Sequence, residues 1–270
     1  MRISILKRRL LICCVFSLLV LMFSCNHSSP GKPLYNASYI LDTFPHFWKY
    51  WYYHVNFSRN YVVYDTTNKK IPRKEFFKKL ITGQYLPLKL KSNSAIDHYK
   101  LIKVKEVEKK RDIYRYLAFL GKIDAKHNNL SEKPLPDFNF KALNGKEYTN
   151  KSCKGKIIVI NCWFVGCHMC VKEMPELNKL VNKYGGDDIV FISLARSSKK
   201  SVKKFLSEHA FQYATVPDVG DYIEDSLQVR GFPTHVIINK KGIVLGFSNY
   251  VVNLKGALQQ LVETGKLTMN

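Results

Sequence analysis

Acidic residues are scarce in this chain. Its 270 residues include 21 Asp and Glu against 43 Lys and Arg, a formal net charge of +22. Such an excess raises the question of nucleic acid. Yet the lysines are spread through both halves, with no dense basic arm and no nucleic-acid-binding motif, so no nucleic-acid partner is expected. Attraction to an anionic membrane surface suits diffuse positive charge better. Internal repeats and low-complexity tracts are lacking as well. Hydrophobic residues make up 46% of the chain, enough for a buried core, which excludes wholesale disorder. The length fits one large domain or two modest ones.

Long apolar runs are also missing. The best candidate, residues 10–23, spans about 14 residues, too short for a comfortable membrane-spanning helix. Arg2, Lys7, Arg8 and Arg9 precede it, and it ends at Met22-Phe23-Ser24-Cys25 before polar residues. A basic start, a short apolar stretch and a small residue before cysteine resemble a bacterial lipoprotein signal peptide. The resemblance implies a signal over 1–24, lipidation at Cys25 and a flexible tether over 25–34. An ordinary secretory signal or an uncleaved anchor are the alternatives.

Cysteine is sparse once that segment is set aside. Of seven, Cys13 and Cys14 lie within the signal and Cys25 at its end, leaving Cys153, Cys162, Cys167 and Cys170. Four are too few for a disulfide-stapled scaffold. A zinc site built on C-x-x-C would want a second such pair, which Cys153 and Cys162 do not supply, so no metal is expected.

What is present is Cys167-His168-Met169-Cys170. The apolar run Ile157-Ile158-Val159-Ile160 lies upstream, and Val171, Met174, Leu177, Leu180 and Val181 follow at helical spacing. Strand, short turn, C-x-x-C and helix form a setting in which two thiols can act as a reversible redox pair. Cys167 would sit at a helix N-terminus, where unpaired N–H groups and the dipole favour a thiolate. Cys170 would sit one turn on, within reach of a mixed disulfide at Cys167.

Around this motif the chain divides into two materials. Residues 35–130 form an N-terminal region, α+β in character and of no recognisable fold. Aromatic side chains crowd 44–64 and are expected to fill a small core rather than to form an exposed binding surface. Residues 71–80 read as a short helix with Pro72 near its start, 88–91 as a strand, and 100–120 as a charged helix ending near Gly121. Pro134 and Pro136 mark a boundary. From 131 to 270 the pattern is regular: strands at 138–140, 157–163, 188–194 and 212–216, helices at 171–184 and 199–209, a hairpin of 234–239 with 243–247, and a closing helix at 254–262. Asn144-Gly145 supplies a hairpin-type turn. This order predicts an α/β domain with a central mixed sheet flanked by helices.

Further residues sharpen the reading. Trp163 ends the strand before the cysteines, Pro175 lies in the following helix, and Phe232-Pro233-Thr234 stands just before the hairpin. With Leu135-Pro136-Asp137-Phe138, Leu143-Asn144-Gly145-Lys146, Lys154-Gly155-Lys156-Ile157 and Lys172-Glu173-Met174-Pro175-Glu176-Leu177, the chain resembles the thioredoxin superfamily. Within it, the match is to the membrane-tethered TlpA/ResA-like branch, related to the AhpC/TSA grouping. The resemblance covers about residues 134–266 and none of 35–130.

The resemblance implies a thioredoxin-like fold and a thiol–disulfide oxidoreductase with no organic cofactor, electrons passing through a Cys167–Cys170 disulfide. Cys167 would attack, and Cys170, more buried, would resolve the mixed disulfide. Pro233 would be cis, laying its loop against the disulfide, with Phe232 and Thr234 beside it at the substrate. Glu173 would tune thiol ionisation and proton transfer; the alternative is an ordinary solvated carboxylate on the helix surface. Asn161 stands where thioredoxin has a buried acid. Partners would be protein thiols and disulfides and a recycling membrane thiol carrier, at the periplasmic side of the cell envelope.

Some residues depart from the family pattern. Gly166 replaces a common Trp, and His168-Met169 replaces Gly-Pro between the cysteines, which bears on the reduction potential and the direction of electron flow. His168 is either a source of positive charge for the thiolate or a solvent-facing polar residue. Cys162 reads as a small core residue and Cys153 as an incidental thiol, while Trp163 reads as a packing wall. The leading function is an envelope disulfide reductase serving cell redox homeostasis or cytochrome c maturation. A thiol peroxidase is disfavoured, because no P-x-x-x-T-x-x-C pattern precedes the cysteines. A binding or assembly lipoprotein acting through the aromatic N-terminal half is the third reading.

Overall fold

The computed structural model describes residues 30–57, 61–93, 96–104 and 111–265. The signal segment and Cys25 lie outside them. Gly31–Asn270 groups as one compact unit. No helix among the described residues is long and apolar enough to cross a membrane.

The first part of this unit holds helices α1 (Ala37–Ile40) and α2 (Phe44–His54), strand β1 (Tyr61–Tyr64), helix α3 (Arg73–Leu80), strands β2 (Tyr85–Lys89) and β3 (Asp97–Lys103), and the long helix α4 (Arg111–Leu130). The strands make a three-stranded sheet in the order β1-β3-β2, with β1 parallel and β2 antiparallel to β3. Thr43 caps α2 by accepting the His46 N–H, and Pro45 in its first turn forfeits no helical bond. Phe47, Trp51, Phe76, Leu80, Tyr99 and Leu117 meet in one core. Most aromatic residues of 44–64 thus pack inward, although Tyr53 stays 58% exposed.

One expectation fails here. Residues 100–120 are not a helix ending at Gly121. β3 runs to Lys103, with Tyr99 and Leu101 buried and their neighbours less so, a period-two pattern that the flanking charges mask. The helix begins at Arg111 and passes through Gly121 to Leu130. Gly121 is a crossing point, not a terminator. A Cβ there would stand 2.8 Å from the backbone carbonyl carbon of Leu80, so only glycine lets α4 approach the end of α3 this closely.

The second part carries the hairpin β4 (Asn139–Lys141) and β5 (Glu147–Thr149), then β6 (Ile157–Trp163), α5 (His168–Tyr184), β7 (Ile189–Ala195), α6 (Lys199–Leu206) and β8 (Ala214–Val216). A π-helical turn at Tyr222–Ser226, strands β9 (Thr234–Ile238) and β10 (Val244–Ser248) and helix α7 (Val251–Thr264) complete it. Five strands form a mixed sheet in the order β10-β9-β6-β7-β8. β6 is parallel to β7 and antiparallel to β9. Every residue of β6 is buried, because alternate side chains serve both faces. Ile158, Ile160 and Cys162 face the core that includes Phe138, Phe140 and Tyr148. Ile157 and Val159 face Leu177 of α5 and Leu258 of α7. This is the expected α/β, thioredoxin-like arrangement. Helix α6 stops at Leu206, short of the expected His209, and Ser207 turns its hydroxyl onto the Lys204 carbonyl.

The two parts share an extensive seam. His127 of α4 stacks on Phe247 of β10 at 4.2 Å, Tyr52 of α2 lies 4.1 Å from Tyr250, and Trp48 meets the same ring edge-on at 6.1 Å.

Candidate active site

The buried strand β6 delivers the chain to its C-terminal edge at Trp163, and the next three residues turn it into α5. Gly166 makes that turn with φ +95°, a conformation that suits glycine although a Cβ would meet nothing there. The Val165 N–H donates to the Ser197 hydroxyl at 2.9 Å and the Cys167 N–H to the Phe164 carbonyl at 3.1 Å, which fixes the turn.

Cys167 is the N-cap of α5 and Cys170 lies in its first turn. The two are joined by a disulfide, with their Cα atoms 5.3 Å apart. The Cys170 N–H donates to Cys167 Sγ at 3.3 Å. On reduction, that donor and the helix dipole favour negative charge on Cys167 Sγ. Cys167 is 6% exposed and Cys170 1%, an order of accessibility that suits an outer attacking sulfur and an inner resolving one.

Trp163 is fully buried beneath the pair, packed with Met174, Ala195 and Val202 against both cysteines. Its indole N–H donates to Ser193 Oγ at 2.6 Å. It stands as a wall of the site. His168, the first residue of α5, is exposed. Cys162 is fully buried on the far face of β6, where burial pushes its thiol pKa up, and Cys153 is a buried free thiol whose pKa burial also raises.

The Phe232–Pro233 peptide is cis. Phe232 packs against the cluster that holds both cysteines and meets Phe164 edge-on at 5.3 Å. Asn249 ties the loop, donating to the Pro233 carbonyl at 3.1 Å and to Thr234 Oγ1 at 2.8 Å. Thr234 in turn donates to the Gly231 carbonyl at 2.7 Å. Its side chain is fully buried and serves the loop, while Phe232 keeps a partly exposed surface.

Glu173 departs from the solvated alternative. Only 4% of it is exposed, and three donors converge on its carboxylate. His235 Nε2 lies 3.0 Å from Oε2, the Val251 N–H donates to Oε1 at 3.1 Å, and the Tyr52 hydroxyl reaches Oε1 at 3.4 Å. Burial, then the nearby Glu173 charge, pushes the Tyr52 phenol up to about 12, which keeps it a donor. One carboxylate therefore joins α5, β9, the start of α7 and, through Tyr52, the N-terminal region. Asn161 lies opposite His235 in the β6–β9 register.

Sequence reasoning missed His235, Tyr52 and Asn249. The signal for His235 was a lone ionisable residue inside an otherwise apolar strand, which calls for a partner. Tyr52 was one of many aromatics, and nothing in its spacing singled it out. A larger cavity, about 950 Å³ and lined by Ile157, Tyr184, Asn239 and Leu261, lies at the other end of β6, away from the cysteines.

Several known proteins are similar to the C-terminal half in sequence. Residues 132–246 match the model of the AhpC/TSA family. The thiol-disulfide oxidoreductase ResA of Bacillus anthracis is 33% identical over 114 residues, covering 42% of this chain and 66% of that protein. The ResA of Halalkalibacterium halodurans is 27% identical over 128 residues, covering 47% and 70%. The thioredoxin-like protein YneN of Bacillus subtilis is 29% identical, covering 40% and 65%. The chain thus spans just under two thirds of the first of these relatives. Among solved structures, the thioredoxin domain of a Bacteroides vulgatus thiol-disulfide oxidoreductase aligns with TM-score 0.44 and 22% identity, over 49% of this chain and 97% of that one. A thiol:disulfide interchange protein from a Bacteroides species aligns with TM-score 0.44 and 23% identity, over 50% and 92%. The C-terminal half of this chain is thus similar in sequence to the AhpC/TSA family model and to ResA thiol-disulfide oxidoreductases.

Proposed function

We propose that this protein is an envelope thiol–disulfide oxidoreductase that reduces disulfides in protein substrates through Cys167 and Cys170. The observation that carries the reading is the N-cap position of Cys167, its sulfur accepting the Cys170 N–H beside the cis-Pro233 loop. The Cys167 thiolate attacks one sulfur of the substrate disulfide. That S–S bond breaks, a Cys167–substrate disulfide forms, and the first substrate thiolate leaves and takes up a proton. The Cys170 thiolate then attacks Cys167 Sγ and expels the second substrate thiolate. The substrate gains two electrons and two protons, and the protein is left with the Cys167–Cys170 disulfide.

Phe232 and Pro233 border the substrate in this scheme. Glu173, held by His235, Tyr52 and the Val251 N–H, lies one turn beyond Cys170 and is assigned to its proton. His168, exposed at the first position of α5, stands next to Cys167 in the chain and is assigned a supporting place in the site. The chemistry runs through cysteine sulfur alone, without a further cofactor, and a membrane thiol carrier returns the disulfide to dithiol. Lipidation at Cys25, periplasm-facing placement and service to redox homeostasis or cytochrome c maturation complete the proposal; they rest on the signal-like N-terminus.

The test is a Cys170→Ser protein expressed in cell envelopes. Mixed disulfides between Cys167 and substrate proteins should accumulate, resolvable by thiol reductants. Their absence, with Cys167 accessible to alkylation, would show that Cys167 is not the attacking group.

A further inference from the structure

The seam between the two parts of Gly31–Asn270 holds a cavity of about 180 Å³ next to the redox motif. Met169, between the two cysteines in sequence, forms one side of it, and Phe232 and Pro233 of the cis loop form another. Asn249 and Tyr250 also line it, and the outer wall comes from the N-terminal region: Trp48 of α2, and Tyr116 and Phe119 of α4. These side chains pack on the molecule from outside the redox domain, so the domain alone would not enclose this space.

Its chemistry is narrow. No charged side chain lines the cavity; Asn249 is its one amide, and that amide already donates to Pro233 and Thr234. A charged group placed there would lose its water without a partner. The volume falls below the roughly 300 Å³ at which pockets for drug-sized molecules begin, and suits a single large side chain. Phe119 on its rim is 44% exposed, an unusual state for a phenylalanine and one that a bound apolar group would relieve. The cavity is continuous with the loop against which a substrate strand must lie for its sulfur to reach Cys167.

We propose that the N-terminal region supplies the outer wall of a specificity pocket, and that its occupant is an uncharged aromatic or aliphatic side chain of the substrate. That side chain belongs to an extended segment and lies two residues from the target cysteine. In an extended chain, residues two apart point the same way and lie about 7 Å apart. A segment whose cysteine meets Cys167 can therefore set its neighbour-but-one between Met169, Phe232 and the aromatic wall. The proposal rests on the thiol–disulfide reading and adds to it a class of substrate and a role for α2 and α4.

The test uses the full chain, reduced, and two cysteine peptides that carry a thionitrobenzoate leaving group. They are identical except for Phe or Asp at both positions two residues from the cysteine. With reduced protein in excess over peptide, so that each molecule reacts once, the wild type should prefer the Phe peptide by about tenfold or more in the single-turnover kcat/KM for thionitrobenzoate release, the scale set by burying one such ring. The net charge of +22 would by itself attract the Asp peptide, so the preference opposes the protein's overall field. Phe119→Glu should collapse the ratio toward one, chiefly by raising KM for the Phe peptide, whereas Phe119→Leu should retain most of it. Phe119 is a rim residue, so the substitution does not excavate the core.

A wild-type ratio near one, or a ratio that Phe119→Glu leaves intact, would overturn the pocket while the redox reading stands. A preference that fades as protein concentration rises would assign the cavity to a second copy of the chain and also overturn it. Failure to turn over either peptide would remove the redox reading and the pocket with it.

Discussion

The two parts of this molecule obey different rules. In the redox domain, the residues that act are local in sequence and their elements follow from local pattern: a buried strand, a glycine turn, two cysteines and a capped helix within residues 157–184. In the N-terminal region almost nothing is local. Tyr50 of α2 donates to the Pro87 carbonyl at 2.7 Å and accepts the Lys89 N–H at 2.8 Å. Tyr99 of β3 donates to the His54 carbonyl at 3.0 Å and accepts the Asn56 N–H, also at 3.0 Å. Buried phenols join strand to helix where the redox domain uses aliphatic side chains. The contrast teaches that the cysteine site is built from neighbouring residues, whereas the N-terminal region is held together by contacts between residues far apart in sequence. They meet at Glu173 and at the aromatic wall beside Met169.

Three variants would break or sharpen that comparison. The largest effect falls where the halves share a group. Glu173→Ala leaves His235 buried with a lost partner and frees the Val251 N–H, and should lower unfolding stability by about 3 kcal/mol, read by urea denaturation. A stability equal to wild type would mean that the carboxylate does not hold the seam together.

The next variant tests the seam at α4. Burial raises the Asp124 carboxyl to about 7 and lowers His127 to about 3. Asp124 Oδ2 and His127 Nε2 are buried with no hydrogen-bond partner among the described residues. An acid whose pKa is raised in the fold gives stability below its unfolded value, near 3.8, and loses it as pH climbs toward 7. His127 acts the other way, losing stability as pH falls from 6.5 toward 3. The two slopes oppose each other between about pH 4 and 6.5. Asp124→Asn should therefore gain on the wild type as pH rises from 4 to 7, by about 3 kcal/mol at the upper end. A constant difference across that range would place the carboxyl in water.

The smallest effect comes from Tyr52→Phe, which removes one of three donors to Glu173 and keeps the ring on Tyr250. About 1 kcal/mol of stability should be lost, with disulfide exchange on a small-molecule disulfide retained. A large loss of exchange would blur the division between the two parts.

Legibility in the sequence follows the same line. Strand β6 occupies residues 157–163, as expected from the apolar run that opens it, and α5 ends at Gly185 as expected. The cis bond before Pro233 matches what the family resemblance implied. Such features are written in neighbouring residues. The strand at 97–103 was hidden because its outward positions include His98 and Lys100 and it ends on Lys103, a pattern that suits a solvated helix as well as a sheet with one half-exposed face. Gly121 reads as a terminator until Leu80 is known to lie against it. The partners of Glu173 come from 62, 78 and 121 residues away in sequence, beyond the reach of any spacing rule.

The central claim is that Cys167 and Cys170 form an exchange pair working as a reductant. The reduction potential of that pair, measured by equilibration with glutathione in the full chain, tests it most directly. The account predicts a value near that of thioredoxin, about −270 mV, while one near about −120 mV would mark an oxidant and contradict it.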